Sequence, residues 1–231
     1  MSGYYSERLS AERLQRCYDL APPRVQRYLQ AEIDFVLDRI KPGDRVLELG
    51  CGYGRVMARF LGAARLVVGI DTSPESLRLA RAMIGERASC RLEEMDAAAM
   101  TFPDHAFDVV LCIQNGISAF GVDRGTLLRE AVRVTAPGGT VLFSSYSPRF
   151  WDDRLEWFRI QSAHRLLGEI DEQATGDGVI VCKDGFRATT VSGEEFLALC
   201  AECGVEGRIT EVDGSSLFCE IRIGAAPPRR S

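Results

Sequence analysis

The sequence predicts an α/β fold built on a largely parallel β-sheet, and three observations lead to this prediction. Short apolar runs with strand composition alternate along the chain with helical patterns, an order typical of a parallel sheet with helices on its faces. A glycine loop, Gly50 to Gly54, follows the first apolar run and precedes a helical pattern. The 231 residues, 46% of them hydrophobic, suffice for one sizeable core and are few for two full domains.

The composition limits the partners and the compartment that we expect. A formal charge of −5 gives no overall attraction to nucleic-acid phosphates or to anionic lipid. The N-terminal segment lacks an apolar signal core, and no apolar run reaches the length of a membrane span. We therefore expect a soluble, cytoplasmic protein, a monomer or a homodimer, that binds neither nucleic acid nor membrane.

Eight cysteines lack the spacing of a secreted disulfide scaffold, so we expect reduced thiols and no metal site. Cys200 and Cys203 have the spacing of half a zinc or redox site, but the sequence has no second pair. Together with Phe196 they also recur at the spacing of one helix face. We favour the interpretation that they are small apolar residues of the core.

Two helices precede the first strand and form an N-terminal helical cap. The first covers residues 10–21, and the second covers residues 23–40 with Pro23 in its first turn. A turn at residues 41–44 then delivers the strand that starts at Arg45. The glycines after this strand allow positive φ angles and let a ligand lie directly against the backbone.

The next elements repeat the alternation of strand and helix. We predict a helix at 53–61, a strand at 66–70 that leads to Asp71, and a helix opened by a capping box of Thr72 and Glu75. The following elements are a strand at 90–94, a strand at 108–113, a loop at 114–121, a helix at 124–135, a turn at 137–139 and a strand at 140–146.

The pattern changes after the fifth strand, where we predict an insertion of one helix and a β-hairpin. Residues 150–167 form the aromatic-rich helix, and residues 169–191 alternate as strands with glycine turns. Ser192 and Glu195 form a second capping box, which opens a helix ended by Gly204. The remaining segments are a hairpin at 205–212 and 216–223 and a disordered tail at 225–231.

Four features lie at the carboxyl ends of the predicted strands, where an open parallel sheet has its ligand crevice. They are the Gly50–Gly54 loop, Asp71, Asp96 and residues 113–115. A carboxylate at Asp71 can accept from both hydroxyls of a ribose, or it can cap the following helix. Asp96 can accept from an adenine amino group or be a loop acid without that role. A dinucleotide fingerprint that starts at Gly50 needs its third glycine at the position of Arg55.

These motifs, in this order, resemble the class I S-adenosylmethionine-dependent methyltransferases, specifically the small-molecule kind of types 11 and 25. V-L-E-L-G-C-G-Y-G matches the first motif of that family, G-I-D-T-S its second-strand acid, and T-A-P-G-G-T-V-L-F its fifth-strand turn. D-A-A-A-M-T-F-P-D-H-A-F-D-V-V matches the region of the third and fourth strands. The resemblance covers residues 44–146 and implies a three-layer, Rossmann-like sheet of seven mostly parallel strands with an antiparallel last strand.

The resemblance also implies a cofactor, S-adenosyl-L-methionine, and a role for each matching residue. The residues at the methionine end of the cofactor would be Glu48, Gly50, Cys51, Gly52 and Gly54, with Ile113 and Gln114 near the sulfonium. The residues at its nucleoside would be Asp71 and Thr72 beside the ribose and Asp96 and Ala97 beside the adenine.

The family pattern leaves residues 1–40 and 147–192 uncovered, and we expect these segments to build the lid and the acceptor pocket. The candidate acceptor-binding side chains are Tyr18, Tyr28, Asn115, Trp151 and Trp157. We assign no catalytic base, because aligned displacement needs one only when the acceptor arrives protonated. We expect His164 to be a packed or surface histidine.

The predicted activity is methyl transfer from S-adenosyl-L-methionine to a small-molecule acceptor by in-line displacement, with S-adenosyl-L-homocysteine as the product. Two alternatives remain open: a thiol or arsenical acceptor, which the cysteines suggest, and a cofactor-binding module without chemistry. The predicted parts of one methyltransferase domain, 1–231, are a cap at 1–40, a cofactor-binding core at 41–146, an acceptor-side insertion at 147–192, a final helix and hairpin at 193–224, and the tail.

Overall fold

The computed structural model describes residues 11–224. Residues 1–10 and 225–231 lie outside the described residues, and with them lie the first residue of the predicted first helix and the whole predicted tail. Within the described range, none of the helices combines the length and the apolar composition that a membrane span requires.

Residues 11–224 contain nine strands: β1 (Arg45–Leu49), β2 (Leu66–Asp71), β3 (Cys90–Glu94), β4 (Phe107–Cys112), β5 (Thr135–Tyr146), β6 (Ile180–Val181), β7 (Arg187–Ala188), β8 (Gly207–Val212) and β9 (Ser216–Arg222). Seven of them form the central sheet in the order β3-β2-β1-β4-β5-β9-β8, and β6 pairs with β7. Strands β1 to β5 are parallel, whereas β9 runs antiparallel to both β5 and β8. The predicted sheet of seven mostly parallel strands with an antiparallel last strand is confirmed.

The strand order opens a crevice at the carboxyl ends of β1 and β4. From β1 the chain adds β2 and β3 on one side and then crosses over to add β4 and β5 on the other. The connections that follow β1 and β4 therefore run in opposite directions. Sheets of this kind bind ligands in the crevice between two such strands. Leu47 of β1 is paired with Val68 of β2 and with Val110 of β4, and all three side chains are buried, as is usual for central parallel strands.

Helices cover both faces of this sheet. They are α1 (Ala11–Asp19), α2 (Pro23–Leu37), α3 (Pro74–Ile84), α4 (Gly116–Ala119), α5 (Arg124–Val134), α6 (Trp151–Ala163) and α7 (Gly193–Glu202). Helices α5 and α7 bury Leu127 and Phe196 against one face. Helices α2 and α3 bury Ile33 and Leu77 against the other face, which gives the predicted three layers.

A third apolar cluster joins the N-terminal helices to the segment after β5. It contains Val25 and Tyr28 of α2, Trp157 of α6 and Phe186 beside β7. The indole Nε1 of Trp157 also donates a hydrogen bond to the carbonyl oxygen of Cys17 at 2.9 Å. Two segments that are far apart in the sequence therefore lie together in the structure.

The predicted helix at 53–61 is wrong, because the segment forms only a 3₁₀ turn at Met57–Arg59. Gly54 and Gly62 have positive φ angles of 84° and 93° and interrupt the α conformation on both sides. The short segment between them has the tighter hydrogen bonding of a 3₁₀ turn. In the described residues, the glycine loop therefore does not lead directly into an α-helix.

Other predicted boundaries differ by smaller amounts. The helix that we predicted from Thr72 instead has Ser73 as its N-cap, whose Oγ accepts from the Ser76 N–H at 3.2 Å. Strand β5 begins at Thr135, since the glycine turn at 137–139 is an irregularity within the strand rather than its start. Helices α2 and α6 end earlier than predicted, and the predicted loop after β4 contains the short helix α4.

The second predicted capping box and the core cysteines are confirmed. Ser192 Oγ accepts from the Glu195 N–H at 3.1 Å, and a Glu195 carboxylate oxygen accepts from the Ser192 N–H at 2.7 Å. Cys200 is a buried residue of α7, with its Sγ 3.6 Å from that of Cys219, and Cys203 packs against the same core. These thiols belong to the packing of the fold.

Candidate functional site

A cavity of about 630 Å³ lies at the carboxyl ends of the strands. Its lining includes every predicted cofactor-binding residue except Gly54. The ten residues in the lining are Glu48, Gly50, Cys51, Gly52, Asp71, Thr72, Asp96, Ala97, Ile113 and Gln114. Three of the predicted acceptor-binding residues, Tyr18, Asn115 and Trp157, line the same cavity. The structure therefore brings the two predicted sets together in one space.

Three predicted site residues lie outside this lining. A Cβ on Gly54 would be 2.8 Å from Ile84 Cδ1, so this glycine permits the close approach of α3. Tyr28 is fully buried behind the cavity wall, with its ring centroid 5.3 Å from that of Tyr146. Trp151 packs against the cluster of the cap and the insertion.

The glycine loop is fixed to β2 by its backbone. The N–H groups of Gly50 and Cys51 both donate to the carbonyl oxygen of Ile70 at 2.9 Å. Gly50 has a positive φ of 72°, and a Cβ at this position would collide with the ring of Phe120. Glycine is therefore required at this position so that Phe120 can pack directly against the backbone of the loop.

Asp71 connects the glycine loop to the start of α3 through its carboxylate. One oxygen accepts from the Gly52 N–H at 2.8 Å, and the other accepts from the Ser73 N–H at 2.9 Å. Burial raises the pKa of Asp71, whereas these backbone donors act to lower it. Each carboxylate oxygen has a second lone pair, so Asp71 keeps acceptor capacity toward the cavity.

Glu48 carries a buried oxygen atom without a partner. It lies on β1, and its Oε2 forms no hydrogen bond in the described part of the chain. Burial raises the pKa of Glu48 to about 8, an effect that the charge of Arg55 opposes. A buried acceptor of this kind is satisfied when a ligand supplies a donor.

The β3 end of the cavity combines an exposed acid with apolar side chains. Asp96 is exposed, and its Oδ1 accepts from the Ala98 N–H at 2.8 Å. Ala97 is buried beside it, and Met95, Phe120 and Val122 line the same part of the cavity. This surface can hold a flat apolar ring while the backbone and Asp96 provide polar contacts at its edge.

The chain bends sharply where it leaves β4. Gln114 and Asn115 have positive φ angles of 56° and 63°, a conformation that non-glycine residues adopt mainly at turns and functional sites. The Gln114 N–H donates to Glu32 Oε2 at 2.7 Å and to Ser144 Oγ at 2.8 Å. The Asn115 side chain accepts from Ser145 Oγ at 2.8 Å. These bonds fix the bend at the carboxyl end of the strand.

Sequence reasoning missed two charged residues, one in the cavity lining and one buried beside it. Arg55 served only as a break in the dinucleotide fingerprint, but it lines the cavity and lies 4.1 Å over the ring of Tyr18. Glu32 is fully buried and accepts from Gln114, Ser144 and Ser216. A signal for Glu32 was present, because it stands four residues from Tyr28 on the apolar face of α2.

His164 has no part in the cavity lining. It caps the C-terminus of α6 in an exposed position, with Nδ1 2.9 Å from the carbonyl oxygen of Ile160. The prediction of a packed or surface histidine is confirmed.

Known proteins resemble the segment that forms this cavity in both sequence and fold. Residues 46–139, which contain the glycine loop, Asp71 and the end of β4, match the family described as a methyltransferase domain. Residues 46–139 thus form a methyltransferase domain, and the fold and the sequence relatives are those of class I S-adenosylmethionine-dependent methyltransferases. The cofactor of this family is S-adenosylmethionine.

Two curated methyltransferases illustrate the relationship. A 2-methyl-6-phytyl-1,4-hydroquinone methyltransferase of Synechocystis sp. is 33% identical over 144 residues, which cover 58% of this chain and 43% of that protein. An arsenite methyltransferase of Aquipseudomonas alcaligenes is 35% identical over 206 residues, which cover 77% of this chain and 57% of that protein. The chain thus spans about half the length of these curated relatives.

A solved structure described as a DhpI–SAH complex has the same fold. It superposes with a TM-score of 0.61 at 22% identity, and the match covers 90% of this chain and 88% of that one. At this level of identity the likeness shows the fold alone.

The residues of the cavity fit the cofactor of the family on structural grounds. The unpaired Oε2 of Glu48 matches the ammonium group of a methionine portion. Gly50 and Gly52 both line the cavity with positive φ angles and place no side chain of their own between the loop backbone and a ligand. The half-buried carboxylate of Asp71 and the apolar surface near Ala97 match a ribose and an adenine.

Proposed function

We propose that this protein transfers a methyl group from S-adenosylmethionine to a small-molecule acceptor by in-line displacement. One observation carries the proposal: a single cavity is lined on one side by the residues at the strand ends and on the other by aromatic side chains from α1 and α6. A cofactor bound at the strand ends would therefore face an acceptor held by Tyr18, Trp157 and Phe158.

When bound, S-adenosylmethionine supplies an electrophilic methyl group on a positively charged sulfur and becomes S-adenosylhomocysteine when the acceptor lone pair takes that group. We assign the residues at the methionine end as Glu48, Gly50, Cys51 and Gly52, with Ile113 and Gln114 beyond them, and the residues at the nucleoside as Asp71, Thr72, Asp96 and Ala97. Gly54 acts indirectly in this assignment, because it lets α3 pack against the loop.

The acceptor side works by alignment and by exclusion of water. Tyr18, Tyr146, Trp157 and Phe158 form an apolar wall that fixes the acceptor and keeps water from the reacting atoms. Tyr28 and Trp151 support this wall from behind. We assign no general base, since an acceptor that arrives with a free lone pair does not need one.

The cap and the segment 147–192 select the acceptor, and the core at 41–146 binds the cofactor. The eight thiols are free, in keeping with a reducing compartment such as the cytoplasm, and the charge of −5 speaks against a nucleic-acid substrate. Monomer and homodimer are equally compatible with this function.

Calorimetry followed by a transfer assay tests the proposal. We expect the purified protein to bind S-adenosylmethionine and S-adenosylhomocysteine but not NAD, because Arg55 interrupts the dinucleotide fingerprint. A screen of metabolite pools with methyl-labelled cofactor should then label at least one small molecule. Binding of NAD without a response to either sulfur cofactor would contradict the proposal, and cofactor binding without any transfer would favour the non-catalytic module.

A thiol or arsenical acceptor is the second candidate, and the thiols of Cys17 and Cys51 in the cavity lining favour it. Against it, burial raises the pKa of Cys17 to about 12, which keeps this thiol protonated and a poor ligand for arsenic. The Cys200 and Cys203 pair lies in the core and not in the cavity. Transfer to arsenite that Cys17→Ser abolishes, while cofactor affinity is kept, would support this candidate over the first.

A further inference from the structure

The cavity wall carries two hydrogen-bond donors that lack acceptors. Nε of Arg55 and Nε2 of Gln114 are buried, and neither has a hydrogen-bond partner among residues 11–224. The two side chains contact each other, because Nη2 of Arg55 donates to Oε1 of Gln114. Buried donors without acceptors cost free energy, so this pair is suited to a ligand that supplies acceptor oxygens.

The charge at this position favours an anionic ligand. Of the described residues that line the cavity, only Arg55 is positively charged. The nearby carboxyl groups of Glu32 and Glu48 have pKa values that burial raises to about 7 and about 8, so they offset only part of that charge near neutral pH. A guanidinium group binds carboxylates through charge-assisted hydrogen bonds better than it binds neutral oxygens.

Both side chains are positioned before any ligand binds. The guanidinium of Arg55 lies on the ring of Tyr18, whose centroid is 5.8 Å from that of Trp157 and 6.2 Å from that of Tyr53. The backbone of Gln114 is held in its left-handed conformation by the hydrogen bonds that its N–H donates. Such preorganisation lowers the entropic cost of binding.

We propose that Arg55 and Gln114 form a carboxylate-binding subsite in the cavity. The inference rests on the proposed function, because it requires a cavity that holds the cofactor together with a small-molecule acceptor. A carboxylate can come from two sources: an acidic acceptor with an apolar body that lies against the aromatic wall, or the methionine portion of the cofactor. In either case its oxygens satisfy the free donors of Arg55 and Gln114.

Paired probes test the subsite and separate the two sources. Calorimetry compares S-adenosylhomocysteine with its decarboxylated analogue, and benzoate with benzamide in the presence of saturating decarboxylated analogue. We expect Arg55→Met to weaken the carboxylate-bearing member of one pair by about tenfold or more and the member without a carboxylate by less than about threefold. Loss with S-adenosylhomocysteine assigns the subsite to the cofactor, and loss with benzoate assigns it to the acceptor.

Arg59→Met is the matched control, since Arg59 is an exposed arginine of the same segment that lies outside the cavity lining. Equal changes for both members of each pair, or no change in any probe, would overturn the subsite. Failure of the wild-type protein to bind S-adenosylhomocysteine would instead overturn the proposed function. If circular dichroism shows that Arg55→Met does not fold, Gln114→Leu removes the second donor and undergoes the same comparison.

Discussion

Asp71 serves the fold and the cavity with the same carboxylate. Its two backbone hydrogen bonds join the glycine loop to the start of α3. Its removal should therefore affect both the shape of the loop and the ribose contact that we propose. The helix-capping role and the ribose role therefore do not exclude each other.

We expect Asp71→Ala to weaken the binding of S-adenosylhomocysteine about ten- to a hundredfold, because charge-assisted hydrogen bonds to the ribose are lost. The melting temperature should fall by about 2–4 °C for each kcal/mol lost from the two backbone contacts. Calorimetry and thermal unfolding measure the two effects, and Asp104→Ala, an exposed acid outside the cavity, is the control. Unchanged affinity with a lowered melting temperature would leave Asp71 only its structural role.

Because the pKa of Glu48 is raised, we expect cofactor binding to depend on pH. Burial raises its pKa to about 8 in the free protein, while an ammonium partner requires the carboxylate form. Below pH 8 binding must therefore displace a proton, and the affinity for S-adenosylhomocysteine should fall toward acid pH by up to about tenfold per pH unit. Calorimetry between pH 6 and pH 8.5 measures this slope. Glu48→Gln should bind more weakly without the slope, and parallel curves for the two proteins would contradict the pairing.

Helix α1 is the element on which acceptor recognition should depend most directly. It contributes Leu14, Cys17 and Tyr18 to the cavity lining, and the indole of Trp157 holds its C-terminal end. The backbone N–H of Ala11 also donates to Ser76 Oγ at 3.0 Å, which ties the start of α1 to α3. The helix thus closes the cavity over residues that bind the cofactor in our proposal.

We expect deletion of residues 1–20 to abolish methyl transfer or to broaden the range of acceptors, while cofactor affinity remains measurable. Trp157→Phe is the milder variant, because it removes the hydrogen bond to the Cys17 carbonyl and part of the ring that lines the cavity but keeps an aromatic side chain. It should raise the KM for the acceptor more than that for the cofactor. In the Trp157→Phe variant, faster hydrogen exchange of residues 11–19 would show that α1 is held less firmly. A deletion variant that stays folded and methylates the same acceptor at an unchanged rate would show that the cap contributes only to packing.

At the scale of elements, the sequence predicted the features that depend on local patterns of residues. The apolar strands, the glycine loop and Asp71 follow from composition and motif order. The missing helix after the loop did not follow, because Val56, Met57 and Phe60 suit a helix face, whereas the left-handed glycines that interrupt the helix are visible only in the backbone.

The contacts of Glu32 and Arg55 escaped prediction for a different physical reason. The partners of Glu32 lie 82, 112 and 184 positions away in the sequence, so no local pattern can identify them. The contact of Arg55 with Tyr18 likewise depends on how the cap folds over the crevice. Pairings of this kind arise from the packing of distant segments rather than from helix or strand propensity.

At the scale of the whole molecule, Glu32 connects α2 with the ends of three strands. Its carboxylate accepts from the backbone after β4, from Ser144 on β5 and from Ser216 on β9. Burial raises its pKa from 4.5 to about 7, so the native protein binds this proton more tightly than the unfolded chain does. The corresponding stability is fully present below about pH 4.5 and is lost as the pH rises through about 7.

We expect Glu32→Ala to lower the free energy of unfolding by about 1–3 kcal/mol for each buried donor left without an acceptor. Glu32→Gln should lose less and should remove the pH dependence between about pH 4.5 and pH 7 that belongs to this residue. Urea unfolding of the three proteins at pH 5 and pH 8 measures both effects. A Gln variant with the same pH dependence as the wild type would show that other groups cause it.

The position of β9 has a consequence for synthesis on the ribosome. This strand is the last of the sheet to be translated, yet it is paired between β5 and β8 instead of at an edge. Until residues 216–222 emerge from the exit tunnel, β5 keeps an unpaired edge and the nascent hairpin partner β8 has no strand to join. Glu32 also lacks its Ser216 donor during this interval. The nascent chain therefore exposes this strand edge until translation of β9 completes the pairing of the described strands.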